Sequence, residues 1–249
     1  MNLSVKPKTV VKTIAVITLL VYLMPLVSEA LLRTVGRTYG LVLFDVDYPR
    51  NIPAIYNVFL TLSAALLALL IAFFTRDNWK LRFGWFAVAG IAGFLAIDKG
   101  TGLSTYLSRE TINQIFHLNE YPFLATYAVI GLIGAAIAWQ IGKAFPFRTR
   151  RFLLVWLAVK AFGLVGLWLV SGYYAHWVTT ENFVYAFLST LEEATETFST
   201  VILLFGLLDY LSLYLPTFNL SIENEEQIIN PTSNYSPVIT QQENLSSRP

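Results

Sequence analysis

Cysteine is absent from the 249-residue chain. That removes disulfides, thiolate nucleophiles, iron–sulfur clusters and thiolate zinc sites together. Charge is scarce: 13% of residues are charged, where a soluble domain carries roughly a quarter. Lys and Arg number 17 against 16 Asp and Glu, for a net charge of +1. A nucleic-acid partner therefore has no electrostatic support. Histidine occurs twice, at His117 and His176. The chain has no phosphate-binding glycine loop, no His-Glu-x-x-His and no Ser–His–Asp pattern on identifiable elements, so it carries none of the standard catalytic fingerprints.

Apolar residues are plentiful. They make up 55% of the chain, with 18 Phe, 13 Tyr and 6 Trp, and mean hydropathy is +0.57. They come in blocks of about 20, the length a helix needs to cross roughly 30 Å of hydrocarbon. Lipid offers the backbone no partners, so such blocks are read as helices. The expected fold is all-α, a polytopic integral membrane bundle of about six spans. They fall near Thr13–Leu32, Ile52–Thr75, Phe83–Lys99, Phe123–Gly142, Phe152–Tyr173 and Phe183–Leu215. A membrane domain over 1–215 is followed by a polar tail, 216–249, too poor in apolar residues to fold alone and expected to be disordered. The lipid bilayer is the expected partner, together with a second copy or another membrane protein.

Basic residues in short loops set the orientation. One side carries Lys6, Lys8, Lys12, Arg76, Lys80, Arg82, Lys143, Arg148, Arg150 and Arg151. The other carries Arg33, Arg37, Arg50, Lys99 and Arg109. Ten against five predicts a cell-membrane protein with both termini in the cytoplasm, which leaves the tail sequons at Asn219, Asn234 and Asn244 on the wrong side for glycosylation. Ser28-Glu29-Ala30 offers a competing signal-peptide reading. Pro25 and Glu29 sit awkwardly for cleavage, and the apolar run continues to Leu32, long enough to span.

The informative residues are ionisable groups within the spans, each of which costs about 2.5–3.5 kcal/mol at the bilayer centre on insertion scales. The sixth span reads Leu191-Glu192-Glu193-Ala194-Thr195-Glu196. With Glu192 at zero, 100° per residue puts Glu196 near about 40° and Glu193 near about 100°. Ser189, Ser199 and Thr200 fall on the same stripe, whereas Phe187, Leu191, Phe198, Ile202 and Phe205 lie largely off it. That face is expected to point inward or into a wet cavity. Counting at about 1.5 Å per residue brings Glu192, Glu196, Asp98 and the long stem of Lys160 to similar depths, with Glu29 near the outer end of the first span. Glu192, Glu193, Glu196, Asp98, Lys160 and Glu29 are the candidate proton or cation path. Glu192, Glu193, Glu196 and Asp98 are also candidate ligands for a divalent cation, for which oxygen donors suit a hard ion; no other cofactor is evident. The alternative is a purely structural ion-pair network. His117 and His176 read as interfacial outer-loop residues, Asp45 and Asp47 as solvated loop residues, and Gly90, Gly93, Gly131 and Gly134 as packing residues.

Three stretches carry a resemblance. Phe44-Asp45-Val46-Asp47 leads into Asn51-Ile52-Pro53, Phe94-Leu95-Ala96-Ile97-Asp98 closes the third span, and Glu192-Glu193 with Glu196 opens the last. Together, from about Phe44 to about Leu215, they resemble an uncharacterised group of bacterial multi-pass membrane proteins. In that group the stretches read Phe-Asp-Leu-Asp-Gly-Glu before Asn-Ile-Pro-Thr, a helix ending in Asp-Glu with a His-Glu pair soon after, and Glu-Glu-x-x-Glu. Here Tyr48 and Pro49 replace Gly-Glu, Lys99 replaces the second acid, and Ser104 and Thr105 replace His-Glu. The resemblance implies the fold and the site's location and supplies no activity. Three classes follow as expectations: a small proton- or cation-coupled transporter, an intramembrane carboxylate or metal-dependent enzyme, and a structural or assembly subunit of a membrane complex.

Overall fold

The computed structural model describes residues 7–36, 41–47, 51–103, 142 and 144–214, all within one compact unit, Val5–Phe218. These residues form helices α1 (Pro7–Val35), α2 (Ile52–Phe74), α3 (Trp79–Thr101), α4 (Phe147–Ala161), α5 (Trp168–Trp177) and α6 (Phe183–Tyr214), with a 3₁₀ turn at Leu41–Phe44. A π-helical stretch, Phe162–Leu167, joins α4 to α5, so Phe147–Trp177 runs as one long apolar helix. Five helices of the described residues are long and apolar enough to cross a membrane, and no strand occurs among them. The fourth expected span, near Phe123–Gly142, lies outside the described residues apart from Gly142, as does the polar tail.

Local chemistry sets the helix ends. The Asn51 side chain accepts from the Ala54 N–H at 2.6 Å, and Pro53 lies in the first turn of α2; a side-chain cap and an early proline, which has no N–H, leave fewer helix-start donors in need of an acceptor. Asn78 caps α3 through the Leu81 N–H. Gly102, at φ 67°, ends α3 and donates its N–H to the Asp98 carbonyl, a left-handed conformation that glycine adopts without steric penalty. Asn182 accepts from the Tyr185 N–H at the start of α6.

Side-chain pairs fix the direction of each helix against α6. Tyr22 meets Thr197 while Arg33 reaches the Glu181 carbonyl, so α1 runs antiparallel to it. Trp85 packs on Tyr210 while Lys99 meets Glu193, so α3 is antiparallel as well. Arg148 pairs with Asp209 and Ser171 with Glu192, giving α4 and α5 the same sense. Asp47 bonds Ser189 and Thr61 bonds Thr200, which makes α2 parallel to α6. One end of the bundle therefore gathers Lys8, Lys12, Arg76, Lys80, Arg82, Arg148, Arg150 and Arg151. The opposite end carries Glu29, Arg33, Asp45, Asp47 and Glu181.

The interior mixes polar with apolar side chains, while large apolar side chains cover much of the outside. Asn57, Thr61, Thr197, Ser199 and Thr200 are buried, whereas Phe59 is 69% exposed, with Ile55 and Leu66 also turned outward. Such a distribution suits a lipid surround, where buried hydroxyls and amides join helices. Ala64, Ala68 and Ala72 of α2 and Ala92 and Ala96 of α3 are fully or nearly fully buried, and these small side chains let α2 and α3 approach closely. Gly93 faces Ala65 across this contact, but Gly90 faces open space; Gly131 and Gly134 lie outside the described residues. Near the basic end, Trp85 lies edge-on to Phe145 and Tyr210.

Candidate functional site

The acidic face of α6 turns into the bundle. Glu196 is 3% exposed and Lys160 7%. Lys160 Nζ donates to Glu196 Oε2 at 3.1 Å, and Lys99 Nζ approaches the same oxygen at 3.9 Å. Lys99 also donates to Glu193 Oε1 at 2.5 Å. One carboxylate thus meets two ammonium groups brought by different helices, α3 and α4. Glu192 faces α5, where Ser171 Oγ donates to it at 2.6 Å. Asp98 is buried near the end of α3, next to Lys99 in the chain.

Backbone geometry at one point makes this possible. A Cβ at Gly163 would stand 3.0 Å from Glu196 Cγ and 3.2 Å from its backbone nitrogen. Only glycine lets the two helices come this close. Gly163 lies in the π-helical stretch, whose wider turn takes up an extra residue and re-aims the helix beyond it. Lys160 on one side of the stretch reaches Glu196, and Ser171 beyond it reaches Glu192.

Hydroxyl groups continue inward from the charges. Thr197 Oγ1 and Tyr22 Oη lie 2.6 Å apart. Thr61 bridges Thr200 and Asn57 at 3.2 and 3.0 Å. Glu193 Oε2 and Asn57 Nδ2 are buried without a hydrogen-bond partner among the described residues.

The structure therefore brings together Glu192, Glu193, Glu196, Asp98 and Lys160. Glu29 stands elsewhere. It pairs with Arg33 one turn on and lines a small cavity with Asp45, Asp47 and Thr190 at the acidic end. Two sequence expectations change. Lys99, read as an outer-loop cation, belongs to α3 and to the charged core. Its signal was its place beside Asp98, at the same depth. His176 lies in the last turn of α5, exposed and edge-on to Trp177; His117 lies outside the described residues. Ser171, Tyr22 and Thr197 also join the site, and as isolated polar residues in apolar spans they gave only a weak signal.

The donor set has a limited repertoire. Among the described residues, no three His, Asp or Glu side chains converge to hold a metal ion. Ammonium groups occupy the positions that balance Glu193 and Glu196. Among the described residues, Glu192, Glu193 and Glu196 share Lys99 and Lys160 here. With these five groups ionised the cluster carries one net negative charge, which a proton or a bound cation can balance.

No curated protein and no solved structure matches the chain. Residues 8–211 match the model of a family described as a domain of unknown function, DUF8692. That match takes in all of the described helices but the first residue of α1 and the last three of α6, and the chain belongs to the DUF8692 family.

Proposed function

We propose that this protein is a small proton- or cation-coupled transporter of the cell membrane, with Glu192, Glu193, Glu196 and Asp98 as its ion-binding groups. The observation that carries the reading is Glu196, buried, held between Lys160 and Lys99 from two helices and touching a π-helical turn. Ionisable groups inside membrane helices are costly and mark ion or proton paths, and π-helical turns gather at functional sites. In this reading, Lys99 and Lys160 hold the carboxylates when no ion is bound. An arriving proton or cation displaces one ammonium and loosens its helix.

The same proposal includes six spans with both termini in the cytoplasm. The acidic end holds the last residues of α3, and the basic end holds the first residues of α4. A chain that leaves by one end and returns at the other crosses an odd number of times between them, which supports a further span in 104–146. The gathering of basic residues at the end holding the first residues of α1 favours that end as cytoplasmic.

A structural or assembly role is the second reading, favoured by the full pairing of Glu196. Ion flux into liposomes holding the wild type and Glu196→Gln separates the two. Transport predicts flux that the substitution abolishes while the folded yield stays intact. Absence of proton, sodium and potassium flux in the wild type, with folded yield lost in the variant, would favour the structural reading. A near-stoichiometric divalent metal in the purified protein, lost on changing Glu192, Glu193 and Glu196 to Gln, would instead support the enzyme class.

A further inference from the structure

The cavity at the acidic end lies apart from the Lys99 and Lys160 ion pairs. It has a volume of about 90 Å³ and is walled by α1, the segment after the 3₁₀ turn and the first turns of α6, with Glu29, Asp45, Asp47 and Thr190 in its lining. Arg33 balances Glu29. Asp45 accepts the Asp47 N–H at 3.0 Å, and Asp47 accepts the Ser189 hydroxyl at 3.0 Å. Among the described residues, no cation pairs with either aspartate. An independent observation points into the same space. Thr190 is 4% exposed, and its Oγ1 is buried with no hydrogen-bond partner among the described residues. Three residues further along α6, Glu193 Oε2 is likewise buried without a partner among the described residues. Residues at this spacing lie on one helix face, so the unsatisfied oxygens step from the cavity toward the charged core.

The geometry points to a binding site for a small monovalent cation in this cavity, with Asp45 and Asp47 supplying charge, Thr190 a hydroxyl oxygen, and Glu193 the next acceptor inward. All the donors are hard oxygens, the type that binds such ions. The volume equals about three waters at roughly 30 Å³ each. A cation here keeps part of its hydration, in accord with the absence of three converging carboxylates among the described residues. The inference rests on the transporter reading only in making the cavity that path's mouth; binding itself stands on the cavity.

The test is equilibrium binding of radiolabelled sodium and of radiolabelled rubidium to the full-length protein in lipid nanodiscs, beside liposome flux. Saturable binding of one cation is expected, weakened about tenfold or more by Asp47→Asn and by Thr190→Val, and regained with Thr190→Ser. Unfolding temperatures of the variants check that each is folded. No saturable binding of either cation, or binding unchanged in a folded Asp45→Asn/Asp47→Asn variant, would overturn the site. Binding that needs Asp47, in a protein without flux, upholds the site and defeats the transporter reading. Flux that is lost in Glu196→Gln yet unchanged in the double aspartate variant does the reverse.

Discussion

A single carboxylate sets the energetics of the core. Glu196 is buried with Lys160 at 3.1 Å and Lys99 at 3.9 Å. Removing one member of a buried pair strands the other charge and costs roughly 3–5 kcal/mol, whereas replacing both is far milder. Lys160→Met is therefore expected to lower stability by about that amount, with much of the loss recovered in Lys160→Met/Glu196→Gln. Denaturant unfolding in detergent micelles measures both. At the acidic end, Asp47 titrates above the ordinary carboxylate value. Partial burial is the main cause, and the charges of Asp45 and Glu29 add to it. Hydrogen bonds from Ser189 and Tyr185 oppose the rise. The folded state then holds the Asp47 proton more tightly than the unfolded chain. Its contribution favours folding at acid pH and is lost as pH rises through the elevated value. Asp47→Asn should flatten that part of the curve, seen as a smaller fall in unfolding temperature between acid and neutral pH. A steeper fall in the variant would contradict the assignment. The glutamate face was legible in the sequence, because 100° per residue places Glu192, Glu193 and Glu196 together whatever the surroundings. Lys99 was not. Its role depends on how α3 is rotated against α6, which spacing along one helix does not encode.

At the scale of the element, the Phe162–Leu167 stretch brings α4 and α5 to two different glutamates. Its closest approach is at Gly163. An added Cβ would press on Glu196 Cγ and backbone nitrogen, and overpacking of this kind typically costs about 1–3 kcal/mol. Gly163→Ala is expected to lower the unfolding temperature and to impair flux. Gly172→Ala is the control, since a Cβ there meets only Trp168 at 4.0 Å. Equal melting of the two variants would show that the close approach is not required. Helix starts were easier to read than this bend. Asn51-Ile52-Pro53 marks the beginning of α2 through cap chemistry contained in three residues. No residue in Phe-Gly-Leu-Val-Gly-Leu announces a π turn, because what holds it is the partner helix. The helices also run past the apolar cores read from sequence, as α1 does at Pro7–Val35, since polar residues extend a helix beyond the hydrocarbon.

For the whole molecule, the described helices sort charge by end, and a labelling experiment can assign each end to a compartment. The chain has no cysteine, so a single introduced thiol has no background. Thr180 and Asp77 are exposed at opposite ends of the bundle. In intact cells, a membrane-impermeant maleimide should label Thr180→Cys and spare Asp77→Cys until the membrane is opened. The reverse pattern would invert the proposed orientation. Helices long and apolar enough to span a membrane were legible from run length and composition alone, but the neighbours of each helix were not. That α6 lies against α1, α2, α3, α4 and α5 follows from which polar faces complete one another, a property of pairs of helices.

The position of α6 in the chain has a consequence for biosynthesis. It is the last of the described helices to be translated, and it brings three glutamates to a bundle whose lysines are already made. Until it arrives, Lys99 and Lys160 are ammonium groups on membrane helices without their carboxylate partners. Until it meets them, α6 is itself a poor candidate to leave the insertion machinery for lipid. Neither half settles without the other. Among the described helices, assembly therefore closes on a charge-matching step. A chain stopped before Phe183 would leave Lys99 and Lys160 on apolar helices without the glutamates they pair with here.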